Sequence, residues 1–124
     1  MIKFIKNLFS SPKYRIHRSK NNNNFYFVLV AKNGEIILNS EGYLTKDGAL
    51  NGIRSVSENG IDIFNFEVKK SKNGKFYFVL KANNNKIIGT SEIYDQMESA
   101  YVGIQSVRSC CGTSIIKFDG EEKG

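Results

Sequence analysis

The sequence predicts an α+β fold: two tandem ββ-β-α repeats forming an antiparallel sheet with two helices packed on one face, related by a pseudo-twofold axis. Three observations predict it. The pentapeptide Phe-Tyr-Phe-Val-Leu stands at residues 25–29 and again at 76–80. Residues 25–56 superimpose on 76–107 without a gap, and 17 of the 32 positions are identical, the mark of an internal duplication. Within each copy the apolar period then changes from that of strands to that of a helix.

The likeness extends upstream with a one-residue slip, residues 14–21 lying on 66–73. The chain thus divides into an N-terminal amphipathic extension (1–12), a first repeat (13–64) and a second repeat with a closing strand and a short acidic tail (65–124), in one compact domain. Tyr-Arg-Ile-His-Arg and Phe-Glu-Val-Lys-Lys alternate apolar and polar residues, as half-buried strands do. Turns rich in Asn and Gly follow. The two Phe-Tyr-Phe-Val-Leu segments, aromatic and β-branched, are the central strands of equivalent half-cores. Asn33-Gly34 supplies the positive φ angles of a tight hairpin, and Asn replaces that Gly in the second copy. The third strands are Glu-Ile-Ile-Leu-Asn-Ser and Lys-Ile-Ile-Gly-Thr-Ser.

Ala49, Ile53 and Val56, like Ala100, Ile104 and Val107, are spaced to share one helical face. Thr45 is placed to cap the first helix, and Asp95 followed by Glu98 reads as a capping box on the second. Gly52 and Gly103 interrupt these helices beside the apolar stripe, at a cost of up to ~1 kcal/mol each in propensity. Their recurrence implies close approach of helix and sheet. Ser-Ile-Ile-Lys-Phe-Asp closes the second repeat as a short strand.

The set Gly-Lys-Phe-Tyr-Phe-Val-Leu-Lys-Ala, Lys-Ile-Ile-Gly-Thr-Ser-Glu-Ile-Tyr and Gly-Ile-Gln-Ser-Val, met twice, resembles the YegP-like family over about residues 13–119. These are small bacterial proteins with one or two such repeats and no settled activity. The resemblance implies two ββ-β-α repeats about a pseudo-twofold axis, an arrangement that single-repeat relatives reach as dimers. The family usually carries Asn before the helix glycine; Asn51 follows that pattern and Val102 departs from it. No catalytic residue is implied.

The residues point away from catalysis. His17 is the only histidine and falls on the solvent side of its strand. There is no glycine-rich phosphate loop, no metal-ligand grouping and no cofactor motif. The adjacent Cys110 and Cys111 cannot readily bridge each other and read as small apolar residues near a helix end. The nearest carboxylate cluster, Asp119, Glu121 and Glu122, lies in the tail. No apolar run approaches the ~20 residues of a bilayer span, and the first residues lack a continuous secretory core, so a soluble, cytoplasmic, monomeric protein is expected, with a homodimer as the lesser alternative.

Two features remain as candidate sites. The Ser-Glu-x-Tyr element, Ser40, Glu41 and Tyr43 in one copy and Ser91, Glu92 and Tyr94 in the other, stands at each strand-to-helix corner. It either lines a pair of equivalent polar pockets or satisfies backbone donors while Tyr packs under the helix, and the second reading is preferred. The other feature is charge. Residues 1–34 hold seven Lys/Arg and no acid, and residues 69–86 hold six and no acid, within a net charge of +6. If the pseudo-axis brings Arg15, Arg18 and Lys20 together with Lys69, Lys70, Lys72 and Lys75, they form one positive surface for nucleic acid or another polyanion. Lysines also guard sheet edges against aggregation. In the extension, Ile2, Ile5 and Phe9 share a helical face opposite Lys3 and Lys6. This segment docks on the protein or a partner in preference to an anionic membrane surface. The function expected is a non-catalytic binding module with a basic sheet surface; the alternative is a protein-interaction or structural module without nucleic-acid binding.

Overall fold

The structure, a computed structural model, describes residues 11–120. The docking expectation for the N-terminal extension therefore lies outside the described residues, as do Glu121 and Glu122.

Strand β1 (Lys13–Arg18) buries Tyr14 and Ile16 and exposes Arg15 and His17, the alternation of a strand with one buried face. β2 (Phe25–Val30) and β3 (Ile36–Asn39) follow. Between them Ala31 N–H donates to Glu35 O and Gly34 N–H to Ala31 O, both at 2.9 Å. Gly34 alone takes a positive φ, +86°, because this turn ends in a single left-handed residue. Asn33, expected to share that conformation, instead accepts the Glu35 N–H on its side chain at 3.0 Å. Helix α1 (Lys46–Asn59) begins at Thr45, whose hydroxyl accepts the Gly48 N–H.

The second repeat enters through a 3-10 turn and repeats the plan as β4 (Phe66–Lys70), β5 (Phe76–Lys81), β6 (Ile87–Thr90) and α2 (Met97–Cys110), with Asn85 left-handed at φ +70°. The one-residue slip has a simple origin. The first hairpin turn is closed by Ser19 and Asn24, the second by Ser71 and Lys75, one residue shorter. The expected capping box is absent: α2 starts at Gln96 without a side-chain cap, and Asp95 is drawn instead to the Lys75 ammonium at 2.7 Å. β7 (Ile116–Phe118) closes the fold.

The seven strands lie in the order β4-β5-β6-β3-β2-β1-β7. Neighbours are antiparallel except β1 and β7, which pair in parallel and make the sheet mixed. β7 follows α2 and joins the outer edge beside β1, a strand distant in sequence, so no hairpin dictates an antiparallel pairing. At the centre β3 meets β6 at Asn39 and Thr90, equivalent positions of the two repeats, so the pseudo-axis passes between them. Both helices cover the same face: α1 packs on β2, β5 and β6, and α2 on β3, β4 and β5. Each helix thereby straddles the repeat boundary over one shared core. Tyr14 adds a link from β1 to the end of α2, its hydroxyl donating to Cys111 O at 2.6 Å.

The glycines inside the helices mark the approach of corner tyrosines. A Cβ on Gly52 would meet the Tyr43 hydroxyl and lie 2.6 Å from Tyr43 Cζ; on Gly103 it would lie 2.6 Å from the Tyr94 hydroxyl. These rings are themselves stacked on Phe27 and Phe78 of the sheet.

Candidate functional site

Because Tyr14, Ile16, Phe27 and Phe78 face the helices, pairing register assigns the alternate residues to the helix-free face. On β1 these are Lys13, Arg15 and His17, and Lys117 of β7 lies opposite Arg15. Tyr26 of β2 sits opposite His17, the two rings stacked at 5.8 Å with an interplanar angle of 16°. In the second repeat Tyr77 of β5 sits opposite Lys69 of β4, with Lys81 further along β5. Tyr26 and Tyr77 are equivalent positions, both half-buried. The helix-free face thus carries a tyrosine in each half with cations toward each edge.

The candidate cations do not gather into one patch. β1 and β4 are five strand spacings apart, about 24 Å, because the pseudo-axis runs through β3 and β6 and sends the first hairpins outward. Arg15 and Lys69 reach the helix-free face. Arg18 alternates to the helix side, its guanidinium 5.2 Å from the centre of the Phe25 ring, and Lys70 pairs with Phe76 on that side. Lys20, Lys72 and Lys75 stand in or beside the hairpin turns at opposite ends of the sheet. Several are engaged: Arg15 with Asp119 at 3.6 Å, Lys69 with Glu67 at 3.6 Å, and Lys75 with Asp95. Glu67 also holds Lys81 at 2.8 Å, and that hydrogen bond, helped by Lys69, keeps its carboxyl below the usual glutamate range. Residues 13–18 alone do not announce Lys81, Lys117, Tyr26 and Tyr77 as companions; the register does.

At the corners, Ser40 and Ser91 serve the backbone. Their hydroxyls accept the Phe27 and Phe78 N–H groups at 2.8 and 2.9 Å and donate to Glu41 O and Glu92 O. Tyr43 and Tyr94 make two backbone hydrogen bonds each with Phe25 and Phe76, and burial, then Glu41 in one case and Glu35 and Glu92 in the other, raises their phenol pKa values. Glu41 and Tyr43 nevertheless also border a groove of about 830 Å³, whose far wall is the 82–88 segment of the other repeat. The equivalent groove at Glu92 and Tyr94 is walled by residues 34–36 and holds about 390 Å³. Each groove is therefore built from the corner of one repeat and the hairpin of the other.

Cys110 and Cys111 are buried free thiols, and burial raises the Cys111 thiol pKa. Among the described residues, no three His, Cys, Asp or Glu side chains are grouped to hold a metal ion, and no helix is long and apolar enough to cross a membrane.

A family described as "Domain of unknown function (DUF1508)" matches residues 20–62 and 71–117, one match per repeat. UPF0339 protein plu2779 of Photorhabdus laumondii is 52% identical over 93 residues, 75% of this chain and 81% of its own. UPF0339 protein YegP of Escherichia coli is 48% identical over 95 residues, 77% of this chain and 86% of its own. The solution NMR structure of yegP from E. coli, described as a protein of unknown function, superimposes with a TM-score of 0.82 at 40% identity, covering 90% of this chain and 95% of that one. That of a UPF0339 protein from Shewanella oneidensis gives 0.82 at 41% identity, covering 92% and 98%. The chain belongs to the UPF0339 (DUF1508) family of unknown function, with the domain present in two copies.

Proposed function

We propose that this protein is a non-catalytic binding module that takes single-stranded nucleic acid across the helix-free face of its sheet. The observation that carries this reading is the placement of Tyr26 and Tyr77 at equivalent positions on that face, opposite His17 and Lys69. A base would extend the His17–Tyr26 stack, and base–aromatic stacking contributes about 1–3 kcal/mol per base without demanding a sequence. Arg15 and Lys117 at one side and Lys69 and Lys81 at the other would take phosphates as the strand crosses the sheet. Arg18, Lys20, Lys70, Lys72 and Lys75 supply steering charge around that path instead of a single contact patch.

Fluorescence anisotropy with labelled oligothymidylate and oligouridylate at two salt concentrations tests the reading. Binding should weaken with salt. Arg15→Glu or Lys69→Glu should lower both the affinity and the salt slope, the slope by about 0.7 for each phosphate the protein no longer neutralises. Tyr26→Ala and Tyr77→Ala should weaken binding and leave the slope unchanged. Binding that survives both charge reversals overturns the proposal.

A protein partner is the second reading. Ile93, Met97, Tyr101 and Val102 are 56%, 46%, 48% and 66% exposed at the start of α2, where the first repeat carries Gly42, Lys46, Leu50 and Asn51. No binding to either oligonucleotide at low salt favours this reading.

A further inference from the structure

The two corner grooves descend from one ancestral feature, and they have diverged in size and charge. Around the larger, the first repeat has Gly42, Gly48 and Asn51, where the second has Ile93, Ser99 and Val102. Across it, the hairpin turn presents Lys86, where the smaller groove has Glu35 facing Glu92. The smaller groove therefore holds two carboxylates, and the larger one carboxylate and one ammonium. Among the described residues neither Glu41 nor Lys86 forms an ion pair. Asn51 and Asn84 also line this groove. Asn84 accepts the Lys86 N–H on its amide oxygen at 3.0 Å.

We propose that the larger groove is a binding site for a short zwitterionic peptide, its carboxylate on Lys86 and its ammonium on Glu41. Charge-assisted hydrogen bonds at the two ends select both termini. The asparagine amides, each donor and acceptor, match peptide groups between them. Tyr43 forms one wall, and Gly52 leaves room for its ring against the helix. The site is separate from the helix-free face and does not depend on nucleic-acid binding.

Two-dimensional amide NMR of the full chain with millimolar triglycine tests the assignment. Shifts should concentrate at residues 41–55 and 82–88 and spare 34–36 and 92–94. N-acetyl-triglycine and triglycine amide should each bind about tenfold more weakly than triglycine, the scale of one charged hydrogen bond. Lys86→Glu, which installs the charge of the smaller groove, should weaken triglycine about tenfold without weakening the cationic triglycine amide. The spectrum of that variant reports its own fold, and the capped peptides need no variant. Absence of shifts, equal shifts at both grooves, equal binding of capped and free peptides, or undiminished affinity in a folded Lys86→Glu variant each overturns the proposal.

Discussion

Leu38 and Gly89 occupy equivalent positions in the two repeats and pack against each other beside the pseudo-axis: a Cβ built on Gly89 would lie 2.6 Å from Leu38 Cδ2. Two leucines cannot share that space. The same large-against-small pairing recurs where the helix ends meet, a Cβ on Gly60 falling 3.0 Å from Cys111 Sγ. A duplicated chain can differ at positions that an identical pair of subunits would be forced to share, and here it fills the axis with one side chain in place of two. Leu38 is fully buried and has little room to give. Gly89→Ala should therefore destabilise the protein by about 1–3 kcal/mol, and Leu38→Ala in the same chain should recover part of that loss. A double-mutant cycle by urea unfolding measures the coupling; additive losses would show that the pair does not compete for space.

Gly52 lies in mid-helix, where Ala is favoured by about 1 kcal/mol on propensity alone. The Tyr43 ring and Phe27 Cε2, 2.9 Å from the built Cβ, reverse the sign. Gly52→Ala should lower the urea midpoint, and Gly103→Ala, against Tyr94 and Phe78, should do the same. A rise in either midpoint would mean that the corner tyrosine moves aside freely.

Tyr14 is fully buried and its hydrogen bond to Cys111 O joins the first strand to the last helix. Its counterpart Phe66 has no hydroxyl. Tyr14→Phe should cost about 1–2 kcal/mol at neutral pH. Burial, reinforced by Cys111 and Cys110, raises the Tyr14 phenol above the ordinary value of 10.0. A raised folded-state pKa means that the contribution is complete below pH 10 and is lost above it, as the unfolded chain ionises and the folded one resists. Each such group steepens the alkaline loss by about 1.4 kcal/mol per pH unit. Tyr43 and Tyr94 add in the same direction. Unfolding followed from pH 8 upward should show a shallower decline for Tyr14→Phe than for the parent, and parallel declines would contradict the burial of this phenol.

Glu67 holds Lys81 and Lys69 on the face proposed to bind phosphates. Its carboxyl, kept low chiefly by the Lys81 hydrogen bond, should titrate below ordinary glutamates in a carbon-detected NMR titration, and Lys81→Gln should move it upward. Its lowered pKa makes this contact complete at neutral pH, and acid removes it by protonating the carboxyl. Glu67→Gln releases both lysines and should tighten oligonucleotide binding severalfold at low salt, whereas weaker binding would place the strand elsewhere.

The duplication, the six repeated strands and both helices are legible in the sequence because their determinants are local. Strand alternation through Tyr14 and Ile16, the stripe of Ala49, Ile53 and Val56, and the Thr45 cap each act within a few residues, and the recurrence of Gly52 and Gly103 announces a close contact without naming the tyrosines that make it. What the tertiary structure alone decides is which distant segments become neighbours. Placing the axis between β3 and β6 sends Arg15 and Lys69 toward opposite edges of one face, makes β7 parallel to β1, draws Asp95 to Lys75 instead of a helix cap, and sets Glu41 across a groove from Lys86. Those outcomes depend on long-range strand pairing and on side-chain volumes at the axis, where Leu38 and Gly89 fit only together, and no short stretch of the chain encodes them.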